Sequence, residues 1–380
     1  MLTALVNARV LGDAGFIDGA TVLLDGTRIA DVVVGSDPRV RAAQVVDLDG
    51  CMLAPGFIDC QVNGGGGVLF NDAPTLDGIA RIAAAHRRFG TTGLLPTLIS
   101  DDAATMHAAI GAVREAIARS VPGILGIHLE GPFLAAQRKG IHDADKFRAP
   151  TPADVDLIAA AGAGKVLLTI APEQVAPDVL RGLAARGVIL SAGHTAATYA
   201  QARAALDAGV RGFTHLFNAM SPLQSREPGA VGAALEDRES WCGVIVDGHH
   251  VHPAALRVAL AAKPRGKIFL VTDAMPPVGA DDDRFTLNGE TITFRDGKCT
   301  NADGVLAGSA LDMASAVRNA VALLGVAADE ALRMASTYPA AFLRLQESHG
   351  RIAQGYAADL VALDRDLRVT HTWIGGVRDA

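Results

Sequence analysis

Apolar segments recur eight times through the middle of this 380-residue chain, and each of them ends in polar residues. The segments are almost continuously hydrophobic, which indicates strands that are buried on both faces of a parallel sheet. Alanine-rich stretches with helical character separate several of them, so we expect strands and helices to alternate. Eight such units predict an α/β fold, a (β/α)8 barrel of the TIM type. The segments cover residues 53–64, 91–100, 123–133, 165–173, 187–195, 210–220, 242–252 and 267–277.

The two ends of the chain have a different pattern, with short β-branched runs between Gly and Asp turns. We therefore expect residues 1–53 and 347–380 to form one small β-sandwich domain beside a barrel that spans residues 54–346. Within the barrel region, residues 280–304 contain the turn-forming pairs Asn288-Gly289 and Asp296-Gly297 between β-prone runs. Such pairs are strong hairpin signals, so this segment predicts a β-hairpin excursion.

Composition and charge argue against some classes of function. The net charge is −7, whereas a nucleic-acid-binding protein would be expected to carry a basic face. A small phosphorylated substrate stays compatible, because one or two placed Arg or His residues suffice for a single phosphate. We see no apolar window long enough for a membrane span and no signal-peptide pattern, and the four cysteines form no CxxC pair. We therefore expect a cytoplasmic protein that binds neither membranes nor nucleic acid.

Polar residues follow the apolar segments at the end where a barrel of this type carries its active site. Such residues could also be helix N-caps or loop residues, which follow strands too. However, Glu130, His194 and His215 end three different segments and match the three-ligand set of a catalytic zinc site. Asp273 ends the eighth segment and would lie across from them as general base and acid. The combination favours a metal site, and a bound divalent metal with a carboxylate nearby could activate water for the hydrolysis of a bond such as an amide.

Several motifs resemble those of the N-acetylglucosamine-6-phosphate deacetylases, a family of the amidohydrolase superfamily. The motifs are PGFIDCQVNGGGG, HLEGPFL with KGIHD, SAGHT, THLFNAMSPL with REPG, VDGHHVHP, LVTDAM and LAGSALDM, and together they span nearly the whole chain. The resemblance implies hydrolysis of N-acetyl-D-glucosamine 6-phosphate to D-glucosamine 6-phosphate and acetate. It also implies that Glu130, His194 and His215 bind the metal, that Asp273 carries the proton, and that His142 polarises the acetamide carbonyl.

The resemblance further implies which residues contact the substrate. Arg226 and His250 would hold the phosphate, for which the planar guanidinium of an arginine is well matched. Such residues can come from a neighbouring subunit in this family, so a homodimer is implied. The other implied substrate contacts are Gln61, Ile141, Asn218, Ala219, Asp247, Gly248, His249, Leu306, Ala307 and Gly308.

One departure from the wider superfamily concerns the number of metal ions. Many amidohydrolases carry His-x-His after the first strand, but this chain has Gln61-Val62-Asn63 there. Because neutral amides are poor zinc ligands, we expect one divalent metal ion per subunit and a hydrogen bond from Gln61 near the metal-bound water. Zinc is the expected metal, although iron, cobalt and manganese also suit imidazole and carboxylate ligands.

Three alternatives stay open at this point. The substrate could be the galactosamine or mannosamine epimer, because barrel loops set this choice. The chain could also be a non-catalytic sugar-phosphate sensor, although a sensor would not need Glu130, His194, His215 and Asp273 together. A phosphate-binding isomerase barrel is the third alternative, and it would explain neither the metal-ligand set nor the terminal β-domain.

Overall fold

The computed structural model describes residues 2–379, which begin with five strands and a short helix. The first strand pairs antiparallel with the second, which in turn pairs with the third. On its other side the first strand pairs in parallel with two strands, one along each half of its length, so the sheet divides there as in a sandwich. These elements are β1 (Thr3–Gly12), β2 (Gly15–Asp25), β3 (Arg28–Val34), α1 (Pro38–Arg41), β4 (Gln44–Asp47) and β5 (Met52–Pro55).

The eight apolar segments form the eight parallel strands of a barrel, as predicted, with a small β7–β8 ladder after the first of them. Hydrogen bonds connect the eight strands in the order β15-β14-β13-β12-β11-β10-β9-β6. The ring is closed by a parallel bridge between Val62 and Ala274. The strands are β6 (Phe57–Val62), β7 (Gly64–Gly65), β8 (Val68–Leu69), β9 (Thr91–Ile99), β10 (Gly126–Glu130), β11 (Lys165–Ile170), β12 (Ile189–Ala192), β13 (Val210–Phe213), β14 (Trp241–Val244) and β15 (Ile268–Leu270).

Helices pack around the barrel through apolar faces. In α3, for example, Met106, Ala109, Ile110 and Val113 are buried at the three- and four-residue spacing of one helix face. Side chains such as Thr75 and Asp102 accept hydrogen bonds from the first turns and cap the helices. The helices are α2 (Leu76–Arg87), α3 (Ala103–Ala118), α4 (Pro152–Ala159), α5 (Pro177–Ala185), α6 (Tyr199–Asp207), α7 (Gly229–Glu236), α8 (Pro253–Ala262), α9 (Met313–Asn319), α10 (Ala328–Ala335) and α11 (Thr337–Phe342).

Shorter helical turns complete this set, and none of the helices described is long and apolar enough to cross a membrane. The turns are 3-10 helices at Ala136–Arg138, Ala144–Lys146 and Pro172–Gln174 and a π-helical segment at Ala320–Leu324.

The excursion after β15 is a three-stranded antiparallel sheet, one strand more than the predicted hairpin. Both turn pairs have positive φ at both central residues, 51° and 80° at Asn288-Gly289 and 53° and 79° at Asp296-Gly297, as type I′ hairpin turns require. Each pair therefore reverses the chain, and the second turn adds the third strand. The strands are β16 (Arg284–Leu287), β17 (Glu290–Arg295) and β18 (Lys298–Thr300).

The last strands return to the first sheet. The chain ends in β19 (Leu360–Leu363), β20 (Val369–Ile374) and β21 (Val377–Arg378), and β19 pairs antiparallel with β5. The resulting order is β21-β20-β19-β5-β1-β2-β3. A separate core that includes Val22 and Trp373 stabilises this sheet. The predicted combination of a barrel with a small β-domain built from both termini is confirmed.

A buried carboxyl group lies at the junction between the first and eighth barrel segments. The hydroxyl of Thr272 donates to Oδ2 of Asp59 at 2.5 Å, and the backbone N–H groups of Gln61 and Thr272 donate to Oδ1 at 3.2 and 3.3 Å. Burial raises the pKa of Asp59 to about 7, because the desolvation of the carboxylate outweighs these hydrogen bonds. The folded chain therefore keeps this proton at pH values where the unfolded chain has lost it.

This linkage predicts a pH-dependent stability. A folded-state pKa above the unfolded value stabilises the fold fully below about pH 4, and the stabilisation is lost as the pH rises to about 7. Between pH 5 and pH 8 the free energy of unfolding should fall by up to about 3 kcal/mol through this group. The Asp59→Asn variant should lack this component in denaturant unfolding at the two pH values. An equal pH dependence in this variant and in the exposed-site control Asp281→Asn would contradict the assignment.

Candidate metal centre and active site

Three side chains that could bind a metal ion converge at the C-terminal ends of barrel strands. Glu130 is the last residue of β10, and His194 and His215 each follow a strand by two residues. Both histidines have positive φ, 47° and 33°, and so does Asp273 at 53°. Such backbone conformations cost about 1–3 kcal/mol each in non-glycine residues and occur at sites that the surroundings hold firmly. The fold thus holds the backbone of His194, His215 and Asp273 in strained, well-determined conformations.

The ligand atoms of these side chains lie almost in contact. Nε2 of His215 lies 3.0 Å from Oε1 of Glu130 and 3.0 Å from Nε2 of His194. Nε2 of His194 lies 3.2 Å from the same Glu130 oxygen. Nδ1 of His194 donates to the carbonyl of Arg138 at 2.8 Å, so a neutral His194 presents a lone pair at Nε2. The lone pair of this nitrogen and the carboxylate oxygen of Glu130 repel each other in a buried space. A cation bound between them would remove this repulsion.

The charge state of the cluster agrees with this interpretation. Glu130 is almost completely buried, which by itself would favour the protonated carboxyl group. Hydrogen bonds from the rings of His194 and His215 outweigh this burial and hold the pKa of Glu130 well below its usual range. Glu130 is therefore a carboxylate, the form in which it can bind a cation. Among residues 2–379, this cluster is the one group of three or more possible ligand side chains whose ligand atoms converge.

Two amide side chains donate to the carboxylates of the site, and one of them connects Glu130 to the proposed proton carrier. Nε2 of Gln61 donates to both Glu130 oxygens at 3.2 Å and to Oδ1 of Asp273 at 3.1 Å. Nδ2 of Asn63 donates to the same Asp273 oxygen at 2.6 Å. Burial and then the negative charge of Glu130 raise the pKa of Asp273 to about 6. The sequence had given Asn63 no defined role, although it directly follows β6 and its spacing of two from Gln61 is that of residues on one face of a strand.

His142 lies beside this cluster in a defined tautomer. Its Nδ1 accepts the backbone N–H of Ser100 at 3.3 Å and lies 2.9 Å from the Ser100 hydroxyl. Because a backbone N–H can only donate, Nδ1 carries the lone pair and Nε2 carries the hydrogen. Burial lowers the pKa of His142 to about 3, which keeps the ring neutral. Its Nε2 lies 4.0 Å from Glu130, so His142 offers a hydrogen-bond donor next to the metal-ligand cluster.

A cavity of about 350 Å³ opens above the cluster. Its wall includes Glu130, His142, His194, His215 and Asp273, so the structure brings the proposed catalytic and metal-binding residues together. The predicted substrate contacts that line it are Ile141, Asn218, Ala219, His250, Leu306 and Gly308. Ile99, Met275 and Val305 also line it, and no polar pattern in the sequence could have indicated these apolar residues.

The other predicted substrate contacts lie outside this cavity. Arg226 is exposed on the loop that precedes α7. His249 is exposed too, whereas Asp247 accepts a 2.6 Å hydrogen bond from Nδ1 of His250 and thereby orients that ring. Ala307 is buried and donates its backbone N–H to Cys299. Gln61 contacts Glu130 and Asp273, and Gly248 is exposed beside His249.

Comparison with known proteins identifies the family. The model of the amidohydrolase family matches residues 52–378, which include the barrel and the last strands of the terminal sheet. The chain belongs to the amidohydrolase family. This match makes the chain a hydrolase, and together with the relatives described next it confirms the resemblance on which the sequence analysis relied.

Within this family, the chain is similar over its whole length to deacetylases of N-acetylated hexosamine 6-phosphates. The chain is 43% identical to an N-acetylgalactosamine-6-phosphate deacetylase of Shewanella sp. (strain ANA-3), with 94% of each chain covered. It is 33% identical to an N-acetylglucosamine-6-phosphate deacetylase of Haemophilus influenzae, with 99% of each covered. The crystal structure of N-acetylglucosamine-6-phosphate deacetylase from Pasteurella multocida superimposes with a TM-score of 0.96 at 34% identity, over 100% of both chains.

The amidohydrolase family implies a divalent metal, and the residues present fit one. Ligands of tetrahedral zinc lie about 2.0–2.2 Å from the ion, which places neighbouring ligand atoms roughly 3.3 Å apart. The separations of 3.0–3.2 Å among Glu130, His194 and His215 approach this value. A second ion would need ligands at Gln61 and Asn63, whose amide nitrogens instead donate to the two carboxylates.

These observations predict one divalent ion per chain. Elemental analysis after chelation, reloading and gel filtration should give a stoichiometry near one. The Glu130→Gln variant should lose most of this metal, because the amide removes the only charged ligand among the three. The Glu115→Gln variant, which alters an exposed carboxylate on α3, should bind metal like the unmodified protein. Two tightly held ions per chain, or full occupancy in Glu130→Gln, would contradict the assignment.

Proposed function

We propose that this amidohydrolase hydrolyses the acetamide of N-acetyl-D-glucosamine 6-phosphate to D-glucosamine 6-phosphate and acetate. The observation that carries the proposal is the convergence of Glu130, His194 and His215 within 3.0–3.2 Å, next to the carboxylate of Asp273 in one cavity. Relatives that share the whole length of the chain and are named for this reaction support it.

Glu130, His194 and His215 would hold the metal ion, for which we propose zinc, and the bound ion would activate water and polarise the amide carbonyl. Gln61 and Asn63 both donate to Oδ1 of Asp273, which leaves Oδ2 to accept a proton from the attacking water. Asp273 then returns this proton to the amide nitrogen as the C–N bond breaks. The water oxygen ends in acetate, and the sugar leaves as the amine.

We assign to His142 the stabilisation of the carbonyl oxygen. A neutral ring with its hydrogen on Nε2 can donate to an oxygen on which negative charge develops, as an oxyanion-hole donor does. The Ser100 N–H fixes this tautomer through Nδ1. His142 therefore requires no proton transfer of its own in this reaction.

The phosphate-binding role stays a proposal for His250 and Arg226. His250 lines the cavity, and the Asp247 carboxylate holds its Nδ1, so the other ring nitrogen is free for a substrate oxygen. Arg226 is exposed outside the cavity of its own chain. We therefore propose that it serves a second subunit, which makes the active form a homodimer.

A second candidate substrate is the galactosamine epimer. Two relatives named N-acetylgalactosamine-6-phosphate deacetylase, from Shewanella and from Escherichia coli O157:H7, share 43% and 39% identity with the chain. The acetamide and the phosphate are common to both epimers, so the proposed chemistry is the same for each. The difference would arise in the walls of the cavity around the sugar ring.

We expect the Asp273→Asn variant to lose most of its turnover. Removing a general acid–base group typically costs about 10²–10⁴-fold in rate, and the amide cannot accept the water proton. Metal content should be unchanged, because Asp273 is not one of the three converging ligands. Acetate release measured at saturating substrate, with Asp281→Asn as the surface control, tests this role. Near-normal turnover of Asp273→Asn would contradict it.

Measuring kcat/KM for acetate release from the two N-acetylhexosamine 6-phosphates determines which epimer the protein prefers. We expect the metal-loaded protein to hydrolyse N-acetyl-D-glucosamine 6-phosphate with the higher kcat/KM. A higher value for the galactosamine epimer would establish the second candidate instead. Binding of either compound without acetate release, with metal supplied, would favour the sugar-phosphate sensor.

A further inference from the structure

The three-stranded sheet formed by β16, β17 and β18 is continuous with the wall of the active-site cavity. Directly after β18 the chain folds back, with a bridge between Thr300 and Leu306 and a hydrogen bond from Ala307 N–H to Cys299 O at 2.9 Å. Leu306 and Gly308 line the cavity. Ser309 N–H then donates to the carbonyl of Asp273 at 2.9 Å. The sheet is thus tied to the residue proposed to carry the proton.

An apolar cluster fixes this sheet on the barrel rim. One buried side chain from each strand, Leu287, Ile292 and Cys299, packs in a common cluster with Ile99 and Met275. The latter two also line the cavity. Because its inner face is buried against the cavity wall, the sheet is a fixed part of the site rather than a loop that projects into solvent.

The first type I′ turn reaches the loop that carries His142. Nδ2 of Asn288 donates to the carbonyl of Ile141 at 3.0 Å. Ile141 lines the cavity, and the next residue is the neutral histidine proposed to stabilise the carbonyl oxygen. Ser100 holds that histidine from the barrel side through Nδ1. Asn288, which is 147 residues from Ile141 in sequence, holds the backbone of Ile141 from the side of the three-stranded sheet.

The second type I′ turn contacts a different loop of the site. A Cβ atom on Gly297 would lie 2.8 Å from Nε2 of His249, so this turn lies against the exposed His249 ring, and its φ of 79° favours glycine. His249 belongs to the loop with Asp247 and His250. The two turns of one small sheet therefore touch the two loops proposed to bind the acetamide and the phosphate.

We propose that Asn288 is a positioning residue for His142: its amide holds the Ile141 carbonyl, and the sheet thereby fixes the histidine that faces the acetamide. The expected effect on kcat rests on the proposed deacetylation. The expected effect on the position of His142 does not. Asn288 contacts neither substrate nor metal in this account, and it acts only through Ile141.

The turn chemistry permits a clean test. Gly and Asp both adopt the positive φ of the first position of a type I′ turn, so Asn288→Gly and Asn288→Asp keep the turn and remove the N–H donor. The matched control is Asp296→Gly, which makes the equivalent change in the second turn of the same sheet. Metal content and melting temperature should be the same in all variants, because the hydrogen bond is exposed and the apolar cluster is retained.

For Asn288→Gly and Asn288→Asp we expect kcat to fall about three- to tenfold, the effect of one hydrogen bond, with KM changed less than twofold. Inhibition by D-glucosamine 6-phosphate, which lacks the acetyl group that His142 would contact, should be unaffected. Asp296→Gly should retain the kcat of the unmodified protein. A kcat in the two Asn288 variants equal to that of Asp296→Gly would overturn the proposal.

A second measurement keeps this inference independent of the substrate. Hydrogen exchange of the segment 139–147 in the metal-loaded protein should be faster in Asn288→Gly than in Asp296→Gly. Unchanged protection of that segment would overturn the positioning role, even if the protein released acetate. If the unmodified, metal-loaded protein releases no acetate but exchange of segment 139–147 is still faster in Asn288→Gly, the proposed function is refuted. The structural link between Asn288 and His142 then stands.

Discussion

The site depends on one electrostatic constraint, the meeting of two imidazole nitrogens and a carboxylate oxygen within 3.0–3.2 Å in a buried space. Three strand ends of the barrel bring Glu130, His194 and His215 to this point, and both histidines adopt positive φ to reach it. Groups that present lone pairs so close together out of water are stabilised by a shared cation. Membership of the amidohydrolase family implies a divalent metal ion as this cation, and the other polar residues of the site surround the three side chains that would hold it.

The second feature is that Gln61 and Asn63, which are neutral amides, take the positions where many amidohydrolases carry two histidine ligands. Two carboxylates, the buried Glu130 and the half-buried Asp273, face each other across the site, and neither has an arginine or lysine partner within hydrogen-bond distance in the described structure. Gln61 donates to both, and Asn63 donates to Asp273. These donors compensate part of the carboxylate repulsion, and because both bind Oδ1 of Asp273 they leave its Oδ2 for the proposed proton transfer. A single ion is therefore consistent with the charge balance of the site.

Much of this could be predicted from the sequence, because apolar segments with polar ends define both the barrel strands and the rim where Glu130, His194, His215 and Asp273 lie. Other features depend on long-range contacts that no local pattern records. Ile99 and Met275 line the cavity as ordinary apolar residues, and Asn288 reaches Ile141 across 147 residues. The third strand of the excursion was missed although its Asp296-Gly297 turn was recognised. Arg226 came from resemblance, and within one chain it lies outside the cavity.

The most direct test of the central claim is an anomalous difference map from crystals of the metal-loaded protein, collected on both sides of the absorption edge of the metal. The account predicts one peak per chain, bonded to one Glu130 oxygen and to Nε2 of His194 and His215, with Gln61 and Asn63 still donating to the carboxylates. A peak bound elsewhere, or a second peak at Gln61 and Asn63, would contradict it.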